Sequence, residues 1–192
     1  MRAVRSAVLT IGTVAGLLLP VAAHAAIYTG YDPAKDVKLE PDTGDDPNGG
    51  FYVGAPDRTF GDITRIRVEH LDQKVRVSVK YRALAAAGRG TLHELLIRTP
   101  NSYAHVDIQG MPGHWLGKPT FSRNGSTSCP SLRGRIDYTH DLVIVEVPAR
   151  CLGNPTWVQV GARVDVDSLA GLYSDWSMTW GYHNVLTPRV PV

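Results

Sequence analysis

Glu94, His105 and Asp107 are the residues of this chain best placed to do chemistry. Leu92 to Arg98 and Tyr103 to Ile108 both alternate apolar and polar residues. A hairpin through Thr99-Pro100-Asn101-Ser102 would set Glu94 opposite Asp107, with His105 beside them. Paired carboxylates can exchange protons with a glycosidic oxygen, or they can hold a cation. They also suit a solvated sheet face on which Arg98 and water balance the charge, and this plainer arrangement is the one we expect. Leu96, Arg98 and Tyr103 fall on the same face, opposite Leu95, Ile97, Ala104, Val106 and Ile108.

Tryptophans supply the second kind of chemistry. Sugars present flat C–H faces that pack on aromatic rings, so a tryptophan on a loop or sheet face is a glycan platform. Trp115 lies in the Gly/Pro-rich loop Gly110 to Pro119, and Trp157 faces away from a valine stripe. Trp176 and Trp180 share a period-two stripe with Met178 and Tyr182, which assigns them to the core.

Several reaction classes lack their residues. Gly-x-Ser-x-Gly does not occur, so there is no nucleophile elbow. His93-Glu94 opens like a zinc-protease helix, but Ile97 stands where the second histidine is needed. In a strand, His93 and Glu94 also point to opposite faces. Asp42, Asp46 and Asn48 are spaced like part of a calcium loop, yet Gly44 sits among them and no bidentate Glu follows. Two cysteines make no zinc site. We therefore expect no catalytic residue, no metal and no cofactor.

The N-terminus reads as an export signal. Arg2 and Arg5 precede an apolar run from Ala7 to Val21, and Ala23-His24-Ala25 offers a small-x-small cleavage site. Residues 1–25 are thus expected to be removed, leaving no membrane span. The formal charge of +2 includes both signal arginines, so the remainder is near neutral and lacks the basic face that nucleic-acid binding requires. In an exported chain, Cys129 and Cys151 are expected to form a structural disulfide.

These features imply strands. With 3 phenylalanines against 19 glycines and 13 prolines, the composition favours strands and turns. Ile66 and Val68 alternate with Arg65, Arg67 and Glu69; Val75, Val77, Val79 and Tyr81 alternate with Arg76, Ser78 and Lys80. A turn at Leu71-Asp72 would pair Val68 with Val75, Ile66 with Val77 and Glu69 with Lys74, at the expense of opposing Arg67 to Arg76. Residues 84–90 read as one helical turn stopped by Gly88. Arg133 to Thr139 and Leu142 to Val147 form a hairpin about His140-Asp141, with Tyr138 opposite Val143, Ile136 opposite Val145 and Arg135 opposite Glu146. That register brings Cys129 within one position of Cys151. Val158, Val160, Ala162 and Val164 mark a further strand, with Gln159 and Arg163 on its other side.

The expected organisation is a signal (1–25), a polar lead-in with an edge strand at Ile27-Tyr28-Thr29 (26–60), one β-domain (61–185) and a frayed tail (186–192). Its fold class is all-β: an antiparallel, jelly-roll-like sandwich of seven to nine strands with one disulfide.

Gly61-Asp62-Ile63, Arg65 to His70, Val75 to Arg82 and Val147 to Val158 resemble a family of uncharacterised secreted actinobacterial proteins. Tyr173-Ser174-Asp175 extends the likeness, although Trp176 stands where a second acid is expected. The resemblance spans most of residues 61–175 and implies a sandwich similar to DOMON-like and family-9 carbohydrate-binding domains. We therefore expect an extracellular, monomeric, non-enzymatic module that binds a glycan or cell-envelope component. Trp115, Trp157, Glu94, Arg98, Tyr103, His105 and Asp107 are its candidate contacts. The alternatives are an extracellular domain that docks a protein partner, and a hydrolase using Glu94 and Asp107.

Overall fold

A computed structural model describes residues 25–41, 52–177 and 186–192. The signal up to His24, the Asp42/Asp46/Asn48 loop and Met178, Trp180 and Tyr182 lie outside them. The described residues contain thirteen strands: β1 (Ala26–Tyr31), β2 (Lys38–Pro41), β3 (Val53–Gly54), β4 (Ile63–Leu71), β5 (Lys74–Tyr81), β6 (Gly90–Arg98), β7 (Tyr103–Gly110), β8 (Pro119–Arg123), β9 (Arg133–Asp137), β10 (Leu142–Pro148), β11 (Trp157–Ser168), β12 (Gly171–Trp176) and β13 (Val190–Pro191).

They form an antiparallel sandwich. One sheet has the order β1-β4-β5-β10-β9; the other runs β3-β2-β12-β11-β6-β7-β8, with β13 also paired to β11. Period-two patterning accounts for the layers, because every second residue of a strand points to one face. Val68, Val77 and Val145 from the first sheet are almost fully buried against a core that includes Ile97, Val106, Val160 and Val164 from the second. Among the described residues no helix is long and apolar enough to cross a membrane.

The β4–β5 and β9–β10 registers each differ from expectation by two residues, while β6–β7 has the expected register. The β4–β5 turn is Asp72-Gln73, so Val68 faces Val77, Ile66 faces Val79 and Glu69 faces Arg76. A two-residue shift leaves every side chain on its expected face. It also moves Arg67 from opposite Arg76 to opposite Ser78, which removes a like-charge pair. Likewise Ile136 faces Val143, Gly134 faces Val145, and Arg133, not Arg135, faces Glu146.

The connector after β5 and the C-terminal tail also differ from expectation, while the edge strand at Ile27-Tyr28-Thr29 is present as β1. Residues 84–89 form an irregular connector without a helical turn, and the Asp141 carboxylate accepts the Leu84 N–H at 2.8 Å. The tail packs instead of fraying: Val190 and Thr187 are buried, and β13 pairs with Trp157-Val158 of β11. The lead-in supplies an edge strand to the first sheet (β1) and two strands, β2 and β3, to the second.

Cys129 and Cys151 are disulfide-bonded, with Cα atoms 5.5 Å apart. The bond does not cross two strands. It joins the loop before β9 to a 3-10 helix, Ala149–Leu152, after β10. Arg123 fastens this corner to the β6–β7 turn, donating from Nε to Ser102 Oγ (2.7 Å) and from a terminal nitrogen to the Cys151 carbonyl (3.2 Å).

Three buried polar links also join the sheets. Tyr81 Oη and His93 Nδ1 lie 2.9 Å apart, His70 Nδ1 meets the Val190 carbonyl oxygen at 2.9 Å, and Asp175 Oδ2 accepts the Ile63 N–H at 2.6 Å. Each is a polar residue at an inward position, where burial without a partner would be costly.

Candidate functional site

The outer face of the larger sheet carries the carboxylates. The β6–β7 register pairs Glu94 with Asp107, Leu96 with His105 and Arg98 with Tyr103. Beyond β7, Thr120 of β8 pairs with Asp107; beyond β6, Arg163 of β11 pairs with Glu94, and Trp176 of β12 pairs with Arg163. One row of cross-strand neighbours therefore reads Thr120, Asp107, Glu94, Arg163, Trp176. Directly opposed residues of this kind interact side chain to side chain.

Arg163 organises the centre of the row. Its guanidinium forms an ion pair with Asp165 at 2.9 Å, stands 3.6 Å from Glu94 Oε2, and lies 5.3 Å from the Trp176 ring centroid. Ser174 Oγ donates to Asp165 Oδ1 at 2.6 Å, which fixes that carboxylate. Arg98, expected to balance the acids, instead lies over the Tyr103 ring at 5.7 Å. That pair is four residues from Asp107 along β7, about 13 Å at normal strand rise.

Burial raises the pKa of Glu94, Arg163 counteracts that shift, and Asp165 and Asp107 add to it. Burial also raises Asp107, with His105 opposing. Both carboxyl groups are therefore held above their ordinary values, chiefly because burial disfavours the charged form.

A cleft of about 640 Å³ opens at the β7–β8 end of this face. Leu92, Asp107, Gln109 and Thr120 form its sheet side, and the loop Met111, Gly113 to Lys118 forms the other. Trp115 lies in that loop and is half-buried. The loop is held from the opposite sheet: Tyr138 Oη donates to the Trp115 carbonyl at 2.8 Å, and the Ile136 N–H donates to the Leu116 carbonyl at 3.1 Å. Gly117 completes the seat. Its φ of 70° favours glycine, and a Cβ there would collide with the Ile108 side chain.

Asp107 and Trp115 thus share one cleft, with Glu94 adjoining Asp107 in the row. His105 is exposed on the same face. Trp157 is not among the cleft residues; its ring is covered by the Arg189 guanidinium at 4.4 Å, and its backbone pairs with Pro191. Trp176 is buried, but on the outer face against Arg163 and Tyr52, not in the core between the sheets. Sequence reasoning did not identify Gln109, His114, Lys118 or Thr120 as cleft residues. The available signal was their position in or beside the Gly/Pro-rich loop that holds Trp115.

The class defined by this architecture is a two-sheet antiparallel β-sandwich with a disulfide-braced corner. Comparison with protein-family models, curated proteins and solved structures finds no match for the chain.

Proposed function

We propose that this protein is an exported, non-enzymatic binding module that seats a carbohydrate chain in the Trp115/Asp107 cleft. The observation that carries this reading is the meeting of Trp115 with Asp107 in one open cleft. An aromatic residue supplies the flat apolar contact that a sugar ring needs, and a carboxylate accepts from paired hydroxyls. Gln109, His114, Lys118 and Thr120 add donors and acceptors around them. The resemblance carried by residues 61–175, which implies a sandwich similar to DOMON-like and family-9 carbohydrate-binding domains, supports the same reading by analogy of fold.

Titration calorimetry and tryptophan fluorescence with a panel of soluble glycans test it. Trp115→Ala and Asp107→Asn should each weaken binding at least tenfold, about 1.4 kcal/mol. Trp157→Ala should leave affinity unchanged, because its ring is engaged by Arg189. Absence of binding at millimolar glycan, or full affinity in Trp115→Ala, would refute the proposal. Turnover of a glycoside that disappears in Glu94→Gln would move the protein into the hydrolase class.

A further inference from the structure

Residues 32–37, between β1 and β2, carry the chain from one sheet to the other, against the start of β4 and the end of β12. The Asp32 N–H donates to the Thr64 carbonyl at 3.1 Å, and the Lys35 N–H donates to Asp62 Oδ2 at 3.0 Å. One carboxylate oxygen from each of Asp32, Asp36 and Asp175 lies within 4.8 Å of the other two. Asp32 is 8% and Asp175 1% exposed.

A fourth acid borders this cluster. Asp62 is fully buried, and Oδ2 is occupied by Lys35 N–H and by Arg82 at 2.7 Å. Its Oδ1 is enclosed with no donor, and the same holds for Oδ1 of Asp36. Asp62 acts electrostatically on Asp36, and Asp36 and Asp32 act on Asp175, each raising its neighbour's pKa after the larger effect of burial. Arg82 pairs with Asp62, while Lys38 acts on Asp36. The Asp175 oxygens accept the Ile63 and Trp176 N–H groups at 2.6 and 2.9 Å, which orients the carboxylate without supplying a countercharge.

Buried carboxylates that face one another are unfavourable unless a proton or a cation is held between them. Oxygens bound to one calcium ion at 2.3–2.6 Å can lie up to about 5 Å apart, and the spacing here meets that limit. The donor set contains no histidine or cysteine, which disfavours zinc. Its origin in one loop and one strand suits calcium's tolerance of irregular geometry better than magnesium's strict octahedron.

We propose that Asp32, Asp36 and Asp175 bind one calcium ion, with the buried Asp62 carboxylate flanking it. The ion would fasten the β1–β2 crossover to β4 and β12, making the attachment of the lead-in calcium-dependent. This site is separate from the Trp115 cleft and does not rest on the glycan reading.

Chelator-treated full-length protein is titrated with CaCl2 by calorimetry, and its thermal midpoint is recorded with and without the ion. We expect one calcium per chain and a midpoint several degrees higher in calcium. Asp36→Asn should weaken calcium binding at least tenfold, while in chelator its midpoint should match or exceed wild type because a repulsive charge is gone. Terbium gives a readout on the unmutated chain: Trp176, adjacent to Asp175, should sensitise its emission, and calcium should compete it away. No heat and no midpoint shift up to about 10 mM calcium, beyond the range of weak extracellular sites, would overturn the proposal. So would unchanged binding in Asp36→Asn, terbium emission that calcium does not displace, or a preference for zinc.

Discussion

Replacing Cys129 and Cys151 together by serine is expected to lower the unfolding free energy by about 3 kcal/mol, from the loop-entropy relation for a bond spanning 22 residues. The linked segments leave opposite sheets: the loop before β9 descends from β8, and the 3-10 helix follows β10. Without the bond, the unfolded chain regains the freedom of that loop, while the folded chain retains the β9–β10 ladder and the Arg123 contacts to Ser102 and Cys151. A loss of this size is a large share of an ordinary domain's stability. Urea unfolding of the wild-type and double-serine proteins measures it, and the denaturant slope should rise because an uncrosslinked unfolded chain exposes more surface. The loop bearing Trp115 is held through Ile136 and Tyr138, at the far end of β9 from the bond. Glycan affinity of the folded fraction should therefore be unchanged. A difference below about 1 kcal/mol would show that the corner is held by its hydrogen bonds and packing instead.

How much of this was legible beforehand follows from what alternation can and cannot encode. The inward sets Ile66, Val68, Val77 and Val79, and Leu95, Ile97, Val106 and Ile108, were readable because a strand's faces depend only on parity. Register was not, since a slip of two residues preserves every face. Both hairpin errors were slips of that size; charge pairing separates the two registers in β4–β5, whereas in β9–β10 an arginine faces Glu146 in either one. The Glu94/Asp107 pair was legible because a short turn joins β6 to β7. Its partner Arg163 was not, because β11 lies beside β6 only through the order of the whole sheet. The same applies to Asp175, which reads as a polar residue in a late strand until the sandwich brings it to the Asp32–Asp36 crossover. Val190 and Thr187 sit in a proline-flanked tail whose local pattern gives no sign of burial. The cleft was half legible: Trp115 stood out as a tryptophan in a Gly/Pro loop, but its meeting with Asp107 depends on Tyr138 and Ile136 of the other sheet.

His93→Gln is expected to flatten the acid limb of the stability profile. His93 is 2% exposed on the inner face of β6, paired across the strands with Ile108 and Val164 and linked to Tyr81 Oη. Burial lowers its pKa from 6.5 to about 3, while burial and the nearby Asp175 push Tyr81 well above its usual value. Both groups are thus neutral, and His93 Nδ1 shares one hydrogen bond with Tyr81 Oη whose direction follows the imidazole tautomer. Because the histidine's folded pKa is depressed, its contribution is complete above pH 6.5 and is lost as pH falls towards 3. In that window the unfolded chain takes up a proton that the native chain refuses, at about 1.4 kcal/mol per pH unit. Between pH 7 and pH 5 the wild type should lose about 2 kcal/mol relative to His93→Gln, whose amide can still hydrogen-bond to Tyr81. Asp175 acts in the opposite sense: its pKa is raised to about 8, chiefly by burial, so its contribution is present below 3.8 and lost as pH rises through 8. Asp137 and Glu146 have lowered pKa values and lose stability only at lower pH. These three contributions are common to both proteins and cancel in the difference. Parallel stability curves from pH 7 to pH 5 would mean that the protonated imidazole finds water or a carboxylate inside the sandwich, and that the Tyr81–His93 link is not the dry bridge between sheets described above.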